Sequence, residues 1–189
     1  GAVFDPHYYG PALAGGCRTP LVGYVDLTLG RREITEVLTD VAAWREWYGV
    51  TDVMLDCTPA EPADVHRVRA TVAAVRAAGA QRVVLNPGRE VDPAIAACGD
   101  VVCTAETDWP TYRTLDLGGA TWSRPAAGGG EPVGGTGTTA RWHLVHGVPA
   151  ADADAAHALV EERGADLAWV TDGAVPDPWS TLPTWYFLR

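Results

Sequence analysis

The chain contains no lysine: all 14 of its basic residues are arginine, a bias that we attribute to coding and not to function. Its four cysteines (Cys17, Cys57, Cys98 and Cys103) show no zinc-type spacing and are too few for a disulfide scaffold. We expect small buried residues or free thiols, with one Cys57–Cys103 disulfide as the alternative. No apolar run is long enough to span a bilayer. The patterns GxGxxG and GxxxxGKS/T are also missing, which disfavours nucleotide-binding folds.

The acidic balance of the chain limits its partners. There are 24 Asp and Glu residues against 14 Arg, so the formal net charge is −10 and the pI is near 4.8. This charge argues against nucleic acid and anionic membranes as partners, and it suits a neutral or cationic ligand. Apolar content of 47% and a length of 189 residues predict one folded domain, 1–189, with a sizeable core.

Six short apolar runs bounded by turn residues predict buried β-strands. They span 21–26, 50–56, 82–86, 101–106, 142–148 and 167–172. Periodicity and capping signals predict helices over 5–16, 33–48, 59–78 and 150–163, with a short helix from Asp92 and a helical turn over 109–115. Thr58, Pro59 and Glu61 have the spacing of a capping box at the start of the 59–78 helix. Residues 118–139 are rich in Gly, Pro and Thr, which predicts a mobile loop.

The alternation of strands and helices predicts an α/β fold with a parallel sheet. Strand ends at 26, 56, 86 and 106 are 30, 30 and 20 residues apart, which is the period of a βα unit. A (β/α)8 barrel has eight such units and about 250 residues, whereas this sequence supplies six. Either the sheet is open, or the sequence lacks the first two units of a barrel.

Polar side chains stand at or near the ends of these strands. The set comprises Asp26, Asp56, Asn86, Glu106 and Asp172, with His146 on the remaining strand. Since the carboxyl ends of parallel strands meet at one edge, we expect these side chains to converge there, where α/β folds carry their chemistry. Two carboxylates facing one cleft can divide glycoside hydrolysis between an ionised group and a proton donor. The alternative is that Asp56 and Glu106 accept hydrogen bonds from nearby turns, while Thr107 or Asp108 caps the turn after Glu106.

The strand-end segments also carry a family resemblance. In order they are GYVD at 23–26, LD at 55–56, NPG at 86–88, Glu106, VHG at 145–147, VTD at 170–172, PDPW at 176–179 and LP at 182–183. This ordered set resembles the spherulin-4 (spherulation-specific family 4) proteins over nearly the whole chain. The resemblance implies a (β/α)8 TIM-barrel-like fold related to secreted polysaccharide hydrolases. Their characterised relatives cut α-1,4-linked galactosamine or N-acetylgalactosamine polymers with strand-end carboxylates.

The start of the sequence also resembles the family. Family members have a Gly-Pro-Gly turn after the second strand and then an Asp-Pro or similar helix start, and here Gly1 is followed by Asp5-Pro6. The resemblance therefore implies that barrel strands three to eight are present and that strands one and two are missing. It also implies a secreted or cell-surface location.

The resemblance assigns roles to the two carboxylates. Asp56 and Glu106 match the pair shared with related galactosaminidases, which implies Asp56 as nucleophile and Glu106 as acid/base. Many family hydrolases carry Glu directly after this Asp, whereas here Cys57 follows. The predicted function is therefore either an endo-acting glycosidase on an amino-sugar polymer or a carbohydrate-binding or wall-associated protein that has lost catalysis. An unrelated barrel enzyme using the same strand ends is a weaker third interpretation.

Other residues are predicted to contact the polysaccharide. They are Tyr24, Asp26, Asn86, Trp109, His146 and Asp172, with Trp122 as a second loop tryptophan. Flat aromatic faces suit sugar rings. Each has a structural alternative: Asn86 and Asp172 could form turns, and His146, like His143, could be an ordinary packed histidine. No metal or cofactor is expected, and the sequence does not define the oligomeric state.

Overall fold

The computed structural model describes residues 5, 7 and 9 and the ranges 20–117 and 139–186. The predicted helix over 5–16 and the predicted mobile loop over 118–139 therefore lie almost wholly outside the described residues, as do Cys17 and Trp122. Within the described ranges, no helix is long and apolar enough to cross a membrane.

Six parallel strands form one sheet in which each strand pairs with the next along the chain. They are β1 (Val22–Asp26), β2 (Asp52–Asp56), β3 (Val83–Asn86), β4 (Val101–Asp108), β5 (Ala140–His146) and β6 (Leu167–Val170). The α/β fold and the six predicted strands are confirmed, with ends displaced by one or two residues. Sequential parallel order is the arrangement found in a (β/α) barrel. The implied loss of barrel strands one and two stays a prediction.

Helices connect the strands of this sheet. They are α1 (Ile34–Tyr48), a 3-10 turn (Pro62–Asp64) with α2 (Val65–Ala77), α3 (Pro93–Ala96), α4 (Trp109–Thr114), and a second 3-10 turn (Ala150–Asp152) with α5 (Ala153–Glu162). At the start of α1 the backbone N–H of Glu33 donates to the Glu36 carboxylate at 3.1 Å. Its end is set by Gly49, whose φ of 69° is a conformation that glycine adopts without strain.

The helix after β2 starts later than predicted. It was expected at Pro59 with Thr58 as its cap, but α2 begins at Val65. The hydroxyl of Thr58 instead donates to the Leu55 carbonyl at 2.7 Å, and its backbone N–H donates to the Asn86 carbonyl at 3.1 Å. The contact with Asn86 holds Thr58 beside β3, so a local capping signal is overridden by a tertiary hydrogen bond.

The two faces of the sheet have different roles. Val25, Leu55 and Leu85 are fully buried beneath the helices. Because successive side chains of a strand point to opposite faces, Asp56 and Asn86 point away from that core. On β1, a Cβ at Gly23 would lie 2.6 Å from Cγ of Trp44, so only glycine lets α1 approach this closely. The face opposite the helices therefore presents the polar strand-end residues.

A second core cluster lies around β4 to β6. It contains Val145, Val170, Trp109 and Tyr112. In β4 the register shifts between Cys103 and Ala105, and the strand then continues to Asp108. Glu106 therefore lies inside β4 and not at its end.

Cysteines in the described part of the chain are free thiols. Cys57, Cys98 and Cys103 form no disulfide, so the alternative of a Cys57–Cys103 bridge is wrong. Cys103 is fully buried in β4, as expected for a small core residue, and its thiol contacts the Ala105 carbonyl at 3.4 Å. The interpretation of these cysteines as packed or free residues is confirmed.

Candidate active site

Three neighbouring strands bring Asp56, Asn86 and Glu106 into contact. The side-chain nitrogen of Asn86 lies 2.8 Å from Oδ1 of Asp56 and 2.7 Å from Oε2 of Glu106. Its side-chain oxygen accepts the backbone N–H of Gly88 at 3.0 Å. The two predicted catalytic carboxylates therefore meet on one face of the sheet, with the amide of Asn86 between them.

Asp56 also accepts hydrogen bonds from Tyr24 of β1 and from Cys57, the residue that follows it. The Tyr24 hydroxyl donates to Oδ2 at 2.7 Å, and the Cys57 thiol lies 3.7 Å from the same oxygen. Burial, and then the hydrogen bond and charge of Asp56, raise the pKa of Tyr24 well above its ordinary value. Burial and the charges of Asp56 and Asp26 raise the pKa of Cys57 to about 11. Both groups therefore keep their protons near neutral pH and serve as neutral donors.

Glu106 is contacted by the segment that follows β6. The indole N–H of Trp179 donates to Oε1 of Glu106 at 3.2 Å. The ring of His146 packs edge-on against Trp179, with ring centroids 5.6 Å apart. His146 therefore reaches the site through Trp179. Sequence reasoning did not assign Trp179 to the site, although its PDPW segment was among the family-like segments.

Asp172 stabilises the segment that follows β6 by accepting hydrogen bonds from Thr184. Its Oδ1 accepts the backbone N–H of Thr184 at 3.2 Å, and its Oδ2 accepts the Thr184 hydroxyl at 2.5 Å. These hydrogen bonds lower the pKa of Asp172. Nearby, a Cβ at Gly173 would lie 2.2 Å from the Pro178 carbonyl oxygen, so this close approach requires glycine. The observed contacts of Asp172 thus match the alternative that it forms a turn. They hold the segment that places Trp179 beside Glu106.

Asp26 likewise holds a turn. Its carboxylate accepts the backbone N–H of Thr28 at 2.6 Å and the Thr28 hydroxyl at 3.1 Å. Burial raises the pKa of Asp26, but hydrogen bonds from Thr28 and Cys57 and the charge of Arg32 together lower it. Thr28 and Leu29 have φ values of 49° and 54°, an uncommon conformation for residues with a side chain. Asp26 stabilises this turn and borders the site through Cys57.

The interpretation of Trp109 as a sugar platform in a loop is wrong. Trp109 is the first residue of α4, is 5% exposed, and belongs to the second core cluster. Its indole N–H donates to the Asp152 carboxylate at 2.8 Å, and its ring stacks on Tyr112. The preceding Asp108 caps α4 by accepting the backbone N–H of Thr111 at 2.7 Å, as the alternative interpretation expected.

His143 is a packed residue on the helix side of the sheet, where it contacts Tyr112. It is fully buried, with Nδ1 2.7 Å from the Tyr112 hydroxyl and Nε2 3.1 Å from the Thr104 hydroxyl. Burial, and then the charges of Arg141 and Arg163, lower its pKa to about 4. This agrees with the prediction that His143 has a structural role.

Two further features lie outside the carboxylate pair. Within the described ranges no three His, Cys, Asp or Glu side chains are grouped to hold a metal ion. A cavity of about 400 Å³ lies between α1 and α2, with Leu27, Val37 and Val68 in its lining, and neither Asp56 nor Glu106 borders it.

Comparisons with known proteins identify a similar solved structure and a matching protein family. The crystal structure of Aspergillus clavatus Sph3 in complex with GalNAc superimposes on this chain with a TM-score of 0.71. The match covers 96% of this chain and 76% of Sph3 at 22% sequence identity, so it establishes the shared, TIM-barrel-like fold. No curated protein matches the sequence. The family model of the spherulation-specific family 4 matches residues 13–187, and the chain therefore belongs to that family.

Proposed function

We propose that this chain is a retaining glycoside hydrolase that cuts inside an amino-sugar polysaccharide of the α-1,4-linked galactosamine or N-acetylgalactosamine type. Asp56 is the nucleophile and Glu106 is the acid/base. The observation that carries the proposal is the joint contact of both carboxylates with the Asn86 nitrogen. GalNAc bound to Sph3 supports a sugar of this class as the ligand.

The contact with Asn86 limits the separation of the two carboxylates. Oδ1 of Asp56 and Oε2 of Glu106 lie 2.8 and 2.7 Å from one nitrogen, so these oxygens are at most 5.5 Å apart. Retaining glycosidases hold their carboxyl groups about 5–5.5 Å apart, whereas inverting enzymes need about 6.5–9.5 Å to admit a water molecule. The short separation supports attack by a carboxylate on the sugar and a covalent glycosyl intermediate.

The hydrogen bonds favour Asp56 as the nucleophile. It accepts contacts from Tyr24, Asn86 and Cys57, and such donors stabilise a negative charge. Among the described residues Glu106 has two donors, and the one on Oε1 is the longer contact, 3.2 Å to Trp179. Fewer donors suit a group that must carry a proton during part of the cycle and then return it.

The surroundings of the pair also suit a sugar ring. Tyr24 is 47% exposed beside Asp56, and Trp179 is partly exposed beside Glu106. Aromatic side chains of this kind offer an apolar face and a polar edge to a ligand. Tyr24 and Trp179 are therefore the aromatic contacts that we assign to the polysaccharide, in place of Trp109.

The test is release of new reducing ends from galactosamine and N-acetylgalactosamine polymers. We expect Asp56→Asn and Glu106→Gln each to lower turnover at least about 1,000-fold, because each removes a group that acts on the reacting bond. Thermal unfolding should stay within a few degrees of the unsubstituted protein. Near-normal turnover in either variant would reject the pair, and NMR of the first-formed product should show the anomer of the substrate.

Cys57 supports a second candidate, a non-catalytic carbohydrate-binding or cell-wall-associated protein. It stands where many family hydrolases have Glu, and its thiol pKa of about 11 keeps it uncharged. Binding of the polymer without cleavage by the unsubstituted protein would establish this candidate. For either candidate we also propose a secreted or cell-surface location, which rests on the family resemblance and is tested by fractionation of the native source.

A further inference from the structure

We propose that Asn86 is a positioning residue that sets the spacing of Asp56 and Glu106, and that it does not bind the substrate. The proposal rests on the function assigned to these two carboxylates above. It replaces the expectation that Asn86 contacts the polysaccharide. Its basis is the complete use of the Asn86 amide within the protein.

Chemistry fixes the orientation of this amide. A backbone N–H can only donate, so the group that faces Gly88 at 3.0 Å must be the Asn86 oxygen. The NH2 group then faces the two carboxylates, and its two hydrogens serve one carboxylate each. With 5% exposure, Asn86 keeps no N–H to offer a sugar hydroxyl.

The turn that carries Asn86 is itself tied to both neighbouring strands. The Asn86 carbonyl accepts the backbone N–H of Thr58, two residues after Asp56, at 3.1 Å. The Gly88 carbonyl accepts the backbone N–H of Glu106 at 3.0 Å. The same short turn therefore holds the backbone of Glu106 directly and that of Asp56 through Thr58, and it places an amide between their side chains.

Electrostatics explains why an amide is required there. Two carboxylates this close repel each other when both are ionised, or else share a proton. A neutral group with two N–H donors stabilises both charges and adds none of its own. Alanine leaves the gap without a donor, and aspartate adds a third acid that can donate only one hydrogen bond when protonated. Neither substitution preserves the spacing.

The test compares Asn86→Ala and Asn86→Asp with Thr139→Val. Thr139 donates to the Ala96 and Gly99 carbonyls at the other end of the sheet, so its loss reports a general cost in stability. We expect both Asn86 variants to lower kcat by about 100-fold or more, since a displacement near 1 Å has that effect. KM and the Kd for GalNAc should change less than about threefold, because Asn86 makes no contact with the sugar.

Two readouts separate positioning from a general structural role. The acidic limb of the pH–rate profile should move to higher pH in Asn86→Ala, because the ionised nucleophile loses a donor. Thr139→Val should lower the unfolding temperature without moving that limb. In a crystal structure of Asn86→Ala, the facing oxygens of Asp56 and Glu106 should lie about 1 Å or more farther apart than in the unsubstituted protein.

Two results would overturn the proposal. One is a rise in KM or in the Kd for GalNAc with kcat unchanged, since that identifies Asn86 as a substrate contact. The other is a crystal structure of Asn86→Ala in which both carboxylates keep their positions. The crystallographic comparison does not depend on turnover. If the unsubstituted protein cuts no polymer, the proposed function fails while the spacing role is still decided by the two structures.

Discussion

Acid should destabilise this fold through His143. The ring is fully buried and uses both nitrogens in contacts with Tyr112 and Thr104. The charged groups that face it are Arg141 of β5 and Arg163 at the end of α5, and both oppose a second positive charge. Folding therefore selects the neutral ring.

The size of this loss of stability follows from the pKa of His143, which is about 4 in the folded protein and ordinarily 6.5. Between these two values the unfolded chain binds a proton that the folded protein does not. The stability that depends on neutral His143 is thus complete above pH 6.5 and is lost as pH falls toward 4. Each unit of pKa corresponds to about 1.4 kcal/mol, so the full effect is about 3.5 kcal/mol, of which about 2.5 kcal/mol appears between pH 7.5 and 4.5.

The assay is urea unfolding followed by tryptophan fluorescence at pH 7.5 and pH 4.5, for the unsubstituted protein and His143→Gln. Many carboxylates titrate over this range, but they are common to both proteins, so the difference between the two isolates His143. We expect His143→Gln to be less stable at pH 7.5, because it packs less well, and the gap to narrow by about 2.5 kcal/mol at pH 4.5. A gap that stays constant within about 0.5 kcal/mol would show that His143 does not titrate as its surroundings require.

Two other predictions concern the site. Trp179→Phe keeps an aromatic ring but removes the N–H that donates to Glu106 at 3.2 Å, so kcat should fall about fivefold to tenfold, with KM nearly unchanged, in the reducing-end assay. A fall larger than that of Glu106→Gln would contradict this supporting role. Because the thiol pKa of Cys57 is about 11, alkylation of Cys57 by iodoacetamide should be slow at pH 7.5 and about tenfold faster per pH unit up to pH 10, as measured by mass spectrometry. A rate that levels off below pH 9 would instead indicate an activated thiol.

The strands could be predicted from the sequence because their signal is local. In the apolar runs of β2 and β3, alternate residues are buried against the helices, namely Val53 and Leu55 in β2 and Val83 and Leu85 in β3. The polar residue after each run marks the sheet edge. Parallel pairing then places those edges together, so the contact of Asp56 with Asn86 follows from adjacency in the sheet. Predicting this part of the site therefore requires only the positions of the strands and their order in the sheet.

The remaining part of the site depends on contacts that are distant in sequence. Trp179 lies 73 residues after Glu106, in a segment without periodicity, so no local pattern connects the two. Trp109 was predicted to contact the polysaccharide from a loop. It is buried instead, and its indole N–H donates to Asp152, which is 43 residues away. In each case a partner on another element decides the role of the tryptophan, and periodicity does not report such partners.

The distribution of charge explains how two carboxylates can stay reactive at the edge of this sheet. The ion pairs found among the described residues join Arg32 to Asp40, Arg76 to Asp100, Arg82 to Asp52, Arg89 to Glu61 and Arg141 to Glu90. None of them includes Asp56 or Glu106, whose observed donors are the neutral groups of Tyr24, Cys57, Asn86 and Trp179.

A neutral donor holds a carboxylate in place without cancelling its charge, whereas an arginine partner would compete with the developing positive charge of a sugar at the transition state. Glycoside hydrolysis passes through an oxocarbenium-like state that a nearby anion stabilises. The same neutral donors thus fix the geometry of Asp56 and Glu106 and leave their negative charge available to the reaction that we propose.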